Sequence, residues 1–377
     1  MTNKLMLPLV ESLISSNNEI SFSKVRIIGV QHILETTHSM FQSLYKLGLK
    51  PENISILGKC YSTCKEVYEE MVAEGIDVSP GSFSYSSHRA YDELFANEVE
   101  NFISSRIETI IEGEFECLIV LDDGGKCINY LNKANTISVP VIAIEQTSAG
   151  YEAIKSQILQ FPVINVARSP VKLILESPMI AQAAAERLYT SLSQKGLCFN
   201  EALIIGGGAI GQALKNRLSA DIKIVIYDQN ISLNESGEPD LSKLLKKFHL
   251  IIGCTGKTSI PHEMHCNFLP GSVLVSVSSS DREFDAHYLR KKLPESDFWH
   301  QDLTVNEILL VNSGFPVNFD GERENIEPEL IQLTIALIAG AIIQARKFSE
   351  QLSSGIINLD ASIEKQIHDE FTLPLIC

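Results

Sequence analysis

The chain has 377 residues, a length that implies two α/β-sized domains rather than a single core. Its 31 Lys and Arg stand against 47 Asp and Glu, a net charge of −16, which excludes nucleic acid as a partner. Eight cysteines with no CxxC pair read as reduced thiols in a cytoplasmic setting, and the longest apolar stretch, Leu330 to Ile343, contains Gln332 and falls short of the roughly 18 residues a membrane span needs.

From Val25 onward, short apolar runs (VRIIGV, NISIL, CLIVLDD, PVIAIE, PVINV) alternate with helical patterns such as HSMFQSLYKLGL and CKEVYEEMVAEGI. That alternation is the rhythm of parallel βαβ units, and it assigns residues 1–177 to a first α/β domain. Pro178 followed by MIAQAAAERLYTSLSQKG predicts a long helix that opens on its proline and closes near Gly196. The runs EALIIGGGAIGQALKNRL, IKIVIYD, LIIGCTG, GSVLVSVSS and EILLVNSG then predict a second doubly wound sheet over residues 178–327, with NESGEPDLSK as a surface loop. The segment PELIQLTIALIAGAIIQARKF is apolar nearly all round, which predicts a buried helix returning to the first domain and places residues 328–377 there. The final FTLPLIC is apolar for a free end, which suggests that it docks.

Gly206, Gly208 and Gly211 form GxGxxG directly after the strand ALII, with Ala209 and Ile210 opening the helix. In such a loop the first glycine makes the tight turn, the second lets a pyrophosphate approach, and the third lets helix and strand pack. The next strand ends in Asp228, where a carboxylate accepts hydrogen bonds from both hydroxyls of an adenosine ribose, favouring NAD over NADP. The stretch Thr255-Gly256-Lys257-Thr258 is not a P-loop, because position 251 is Ile rather than Gly. His262, Glu263, His265 and Cys266 lack the HExxH spacing, so a solvated loop is expected there and no metal. In the first domain Asp122 and Asp123 end one strand, Glu145, Gln146, Thr147 and Ser148 follow another, and Lys172 follows a third. Polar groups therefore converge on the carboxyl ends of three strands, where open α/β sheets bind ligands.

Taken in order, these blocks resemble the S-adenosylhomocysteine hydrolase family. LDDGGKCIN is similar to that family's LDDGGD, IEQTSAG to its EETTTG and PVINVARSPVK to its PAINVNDSVTK. GGGAIG stands for its GYGDVG, GCTG for its TTTG, REFD for part of its GHFDVEID, and VNSGFPVNF for its EGRLVNL. The resemblance implies an α/β protein of two doubly wound parallel-sheet domains, a Rossmann NAD-binding domain inserted into a substrate domain, joined by hinge helices around a closing cleft. It also implies a reaction in which bound NAD oxidises a ribosyl 3′-hydroxyl, the 5′ thiol is eliminated, water adds and the cofactor is restored.

Carried over by position, the resemblance makes Asp123 the site aspartate and Lys172 the lysine beside the ribose hydroxyls. Thr147 and Ser148 fall in the hydroxyl row facing NAD, Thr255 and Gly256 join the glycine loop, and Asn318 stands at the nicotinamide. Several positions depart from the family. Its second site carboxylate is Gln146, which cannot act as a general base. Its following aspartate and asparagine are Glu176 and Ser177, its cysteine is Ala181, and the histidine of GHFD becomes Ser279. The histidine before its VET motif aligns with Gln31, leaving His32 one place off as the candidate for that role, and the segment that closes over adenine is replaced by DGERENIEP. The family's C-terminal extension has no counterpart, which leaves a homodimer open as the assembly.

The expected function is a divergent NAD-dependent enzyme acting on a small nucleoside-like substrate, with authentic S-adenosylhomocysteine hydrolysis one form of it. A 2-hydroxyacid-type dehydrogenase shares the glycine loop but usually carries Arg and His where Ser279 and Asn312 stand. The non-enzyme alternative is an NAD-binding scaffold or regulator with a protein partner.

Overall fold

A computed structural model describes residues 5–371 apart from 113, 135, 136 and 138. The apolar end of the chain, residues 372–377, lies outside the described residues. The chain first lays down β1 (Val25–Val30), β2 (Ile54–Leu57), β3 (Asp77–Val78), β4 (Cys117–Asp122), β5 (Val141–Glu145) and β6 (Pro162–Asn165). It continues with β7 (Glu201–Ile205), β8 (Lys223–Tyr227), β9 (Leu250–Gly253), β10 (Val273–Ser276), β11 (Leu303–Val305) and β12 (Ile308–Leu310), and ends with β13 (Gly355–Asn358).

These strands make two compact units. One comprises residues 1–84, 96–176 and 327–377, and the other residues 85–95 and 177–326. The first holds a seven-stranded, wholly parallel sheet in the order β3-β2-β1-β4-β5-β6-β13. β1 and β4 are buried along their whole length, which is why they read as unbroken apolar runs rather than as alternating ones. The second unit holds a six-stranded sheet, β8-β7-β9-β10-β12-β11, parallel except for its β11 edge. Among the parallel strands of each sheet the order reverses once, between β1 and β4 and between β7 and β9. Such a reversal splays the loops at the strand carboxyl ends and opens a crevice for a ligand.

The helix expected to begin at Pro178 begins at Pro170 and runs to Gln194, with Pro178 inside it. Ser169 and Pro170 carry the same start signal eight residues earlier: the Ser169 carbonyl accepts from Leu173 N at 3.0 Å and its hydroxyl from Lys172 N at 3.3 Å. Once the helix was running, Pro178 removed one amide without ending it. The helix Pro328–Lys347 packs in the first unit against the helices Pro8–Ser16 and Glu35–Leu44 and against β4 and β5. It spans 20 residues, as its sequence suggested, and although its apolar stretch Leu330 to Ile343 was expected to fall short of a membrane span, an 18-residue window with a mean hydropathy of 1.5 meets the length and composition of one. Yet 78% of that window is buried inside the protein, as expected of a core helix.

Residues 85–95 belong to the second unit although the sequence places them among the strands of the first. Arg290 holds them. Its guanidinium is fully buried, donates to the carbonyls of Ser87 (2.9 Å), Arg89 (3.2 Å) and Ser313 (2.7 Å), and pairs with Asp281 at 2.5 Å. Arg282 adds a two-pronged ion pair to Asp92, 2.8 Å on each arm.

Candidate functional site

In the second unit the glycine loop follows β7 at the point where the strand order reverses. Gly206 has φ +109°, a conformation closed to most side chains, and a Cβ on Gly211 would stand 1.9 Å from the Gly206 carbonyl oxygen. Gly208 precedes the helix Ala209–Leu218 as its cap, with no side-chain capping bond and nothing within 4 Å of where its Cβ would be. Ala209 and Ile210 are the helix's first residues, so its first amides face open space. Asp228 follows β8, and its carboxylate accepts from Gly207 N and Asn230 N, each at 2.7 Å. The turn and the acid thereby lock each other, leaving further lone pairs on both oxygens for hydroxyl donors.

Thr255 and Gly256 follow β9 and adjoin the glycine loop, since a Cβ on Gly206 would meet Thr255 Cγ2 at 3.2 Å. Their amides do not face a ligand. Both donate to the carboxylate of Glu283, Thr255 N at 2.5 Å and Gly256 N at 2.7 Å, and the hydroxyls of Ser278 (2.6 Å) and Ser259 (2.8 Å) reach the same group. Glu283 is fully buried, and burial raises its carboxyl above the usual range against the pull of those donors. Sequence reasoning missed it. The register that pairs Phe284-Asp285 with the Phe-Asp of GHFD puts Glu283 at the histidine's place, whereas Ser279 is exposed. Asn318 is buried beyond Val317, whose amide donates to Ser276 O at 2.9 Å. The stretch from His262 to Asn267 is a 3-10 helix rather than a solvated loop, with His265 buried and 2.7 Å from Phe284 O.

In the first unit the reversal between β1 and β4 gathers Gln31, His32 and Asp123. His32 Nε2 lies 3.0 Å from Asp123 Oδ2 and its Nδ1 lies 2.6 Å from Ser62 Oγ, so aspartate and serine fix the ring from both ends. Lys59, just past β2, pairs with the other oxygen of Asp123. Burial alone would raise Asp123, but Lys59 and then His32 hold it well below the ordinary carboxylate range. Burial opposes the Lys59 ammonium as well, and the pull of Asp123, joined by Tyr61 and Glu145, raises it above the ordinary lysine value nonetheless. Lys59 escaped notice because its segment, LGKCYST, has no motif, although its place at a strand's carboxyl end marks the same rim.

Gln146 donates through Nε2 to Asp123 at 2.9 Å and accepts from Gln31 Nε2 at 2.8 Å, so this neutral amide ties the strand ends together. Thr147 caps the helix Ser148–Ile154, accepting from Gly150 N at 3.0 Å and donating to Glu145 at 2.7 Å, while Ser148 is exposed. Lys172 and Glu176 form a 2.6 Å ion pair one turn apart at the start of the helix after β6, and Thr334 donates to Glu176 at 2.9 Å. Ala181, at the cysteine's position, is core of the second unit.

Together these features define a two-unit α/β protein of the doubly wound, Rossmann type with a polar site at the switch point of each sheet. The chain belongs to the family of two Mycobacterium tuberculosis proteins, "Uncharacterized protein MT0113" of strain CDC 1551 / Oshkosh and "Uncharacterized protein Rv0104" of strain ATCC 25618 / H37Rv. Each is 39% identical over 354 residues, 92% of this chain and 68% of the relative. No family model matches the chain. Among solved structures it is similar to the NAD+-bound 3-phosphoglycerate dehydrogenase of Entamoeba histolytica, at 14% identity and a TM-score of 0.41 over 87% of this chain and 96% of that one.

Proposed function

We propose that the chain binds NAD in its second unit and acts on a ribosyl hydroxyl of a nucleoside-type substrate. The observation that carries the cofactor is the cradle left by Gly206, Gly208 and Gly211 before open helix amides, with Asp228 anchored beside it for the ribose. When bound, NAD supplies a hydride acceptor. The chain's own groups do the rest: Asp123 stays an anion and orients substrate hydroxyls, Lys172 beside Glu176 stabilises a developing alkoxide, and His32, held by Asp123 and Ser62, moves a proton. The resemblance to S-adenosylhomocysteine hydrolase supports the nucleoside class. Gln146 argues for a reaction that stops short of the family's full cycle, because its amide is tied at both ends and offers no base.

That same Gln146 favours a second reading, an NAD-dependent regulator in which the cofactor site functions and chemistry does not. Absorbance separates the two. Mixed with NAD and adenosine or S-adenosylhomocysteine, the protein is expected to develop the near-ultraviolet band of the reduced cofactor. Lys172→Met is expected to slow that band by roughly 10²- to 10³-fold, the usual worth of one group that stabilises charge developing in a transition state, with NAD affinity unchanged. Proven NAD binding with no band from either compound would support the regulator.

A further inference from the structure

Directly beneath the Asp123–Gln146 rim, Asp122 and Glu145 are register partners on the adjacent parallel strands β4 and β5, and both are fully buried. Partners in parallel strands project to the same face of the sheet, about 5 Å apart. Each carboxyl has one oxygen provided for: Asp122 Oδ2 accepts from Ile128 N at 2.8 Å, and Glu145 Oε1 accepts from Thr147 N at 2.8 Å and Gly124 N at 3.3 Å. The other two oxygens, Asp122 Oδ1 and Glu145 Oε2, are shut away from solvent with no hydrogen-bond partner among the described residues. Backbone seals the pocket, since a Cβ on Gly150 would stand 2.2 Å from the Glu145 carboxyl carbon and one on Gly125 would meet the Gly150 carbonyl at 3.2 Å.

We propose that Asp122 and Glu145 share one proton across these two oxygens, forming a buried acid pair that braces the turns presenting Asp123 and Gln146. Two unscreened carboxylates cannot both stay charged side by side, and a proton between them supplies the donor that each orphan oxygen lacks. The ionisable neighbours do not undo this. Lys59 is engaged by Asp123, which His32 also contacts, and the Cys127 thiol on the helix Lys126–Leu131 is itself pushed up by burial and by the same two carboxyls. Burial pushes Asp122 up to about 7, and burial and then Asp122 push Glu145 up as well. Of the four acidic or amide positions at this rim, Asp123 carries a full negative charge of its own, Asp122 and Glu145 hold one negative charge between them, and Gln146 is neutral. Asp122 and Glu145 are positioning residues, and the inference stands whether or not the chain binds NAD.

Infrared spectroscopy of the full chain at neutral pH reads the proton directly, because a protonated carboxyl has a C=O stretch apart from the amide and carboxylate bands. The wild-type protein is expected to show that band. Asp122→Asn is expected to abolish it, since the asparagine amide supplies the missing donor hydrogen and lets Glu145 ionise; Glu145→Gln serves if the first variant does not fold. Absence of the band in the wild type, or its persistence in both variants, overturns the pair. A second readout is linkage. A folded pKa raised above the unfolded value contributes stability that is complete below the unfolded pKa and is lost as pH rises through the folded one. The melting temperature of the wild type is therefore expected to fall more steeply than that of Asp122→Asn between about pH 4, the ordinary carboxyl value, and about pH 7, and to level off above that. Parallel slopes overturn the pair as well.

Discussion

Alanine at position 211 is expected to weaken NAD binding by roughly 100-fold, the sensitivity of a bound geometry to a displacement of about an ångström. The added methyl would stand 1.9 Å from Gly206 O and 3.3 Å from Cys254 Sγ, and a carbonyl in a strand-to-helix turn cannot yield without carrying the turn along. The helix Ala209–Leu218 must move out, and its first amides leave the positions that would receive a pyrophosphate. Gly208→Ala is the informative companion, because nothing lies within 4 Å of its new methyl and the fold has no reason to object. It is expected to leave the melting temperature within a degree or so while still reducing affinity, since the methyl occupies space the pyrophosphate would use. Calorimetric titration with NAD alongside melting curves checks both. A Gly208→Ala protein that binds NAD as well as the wild type would move the cofactor away from this loop.

The glycine loop was legible because its reasons are local: a turn with positive φ, a close approach and an acid at the end of the next strand all sit within one βαβ unit. The strands of both sheets were legible for a related reason, that parallel strands covered on both faces leave unbroken apolar runs. What escaped depends on contacts distant in sequence. β13 is four residues whose only signal is GIIN, and its pairing partner β6 lies almost two hundred residues earlier. Lys59 and Glu283 are unremarkable as letters, and only folding brings the first to Asp123 and the second beneath the Thr255–Gly256 turn. Pro178 misled because its placement at a helix's first turn is a preference, while the cap at Ser169 decided the outcome. The carboxyls of Asp122 and Glu145 were noticed as rim residues, but register and burial, which no motif records, separate them from Asp123.

Arg290→Met is expected to destabilise the second unit by about 3–5 kcal/mol, the range for breaking a buried ion pair by removing one partner. The side chain is 0% exposed, and its loss strands Asp281 together with the carbonyls of Ser87, Arg89 and Ser313. Asp281 would keep weak contacts from Tyr91 N, at 3.3 and 3.4 Å, too long to compensate a buried charge. The loss should fall first on residues 85–95, which the guanidinium ties to the unit, so amide hydrogen exchange in that segment is expected to rise at denaturant concentrations where β7, β9 and β10 stay protected. Combining Arg290→Met with Asp281→Asn divides the effect. Recovery of most of the loss in the double variant assigns it to the unpaired carboxylate; no recovery assigns it to the three carbonyls, which only a cation with several donors at that spot can satisfy.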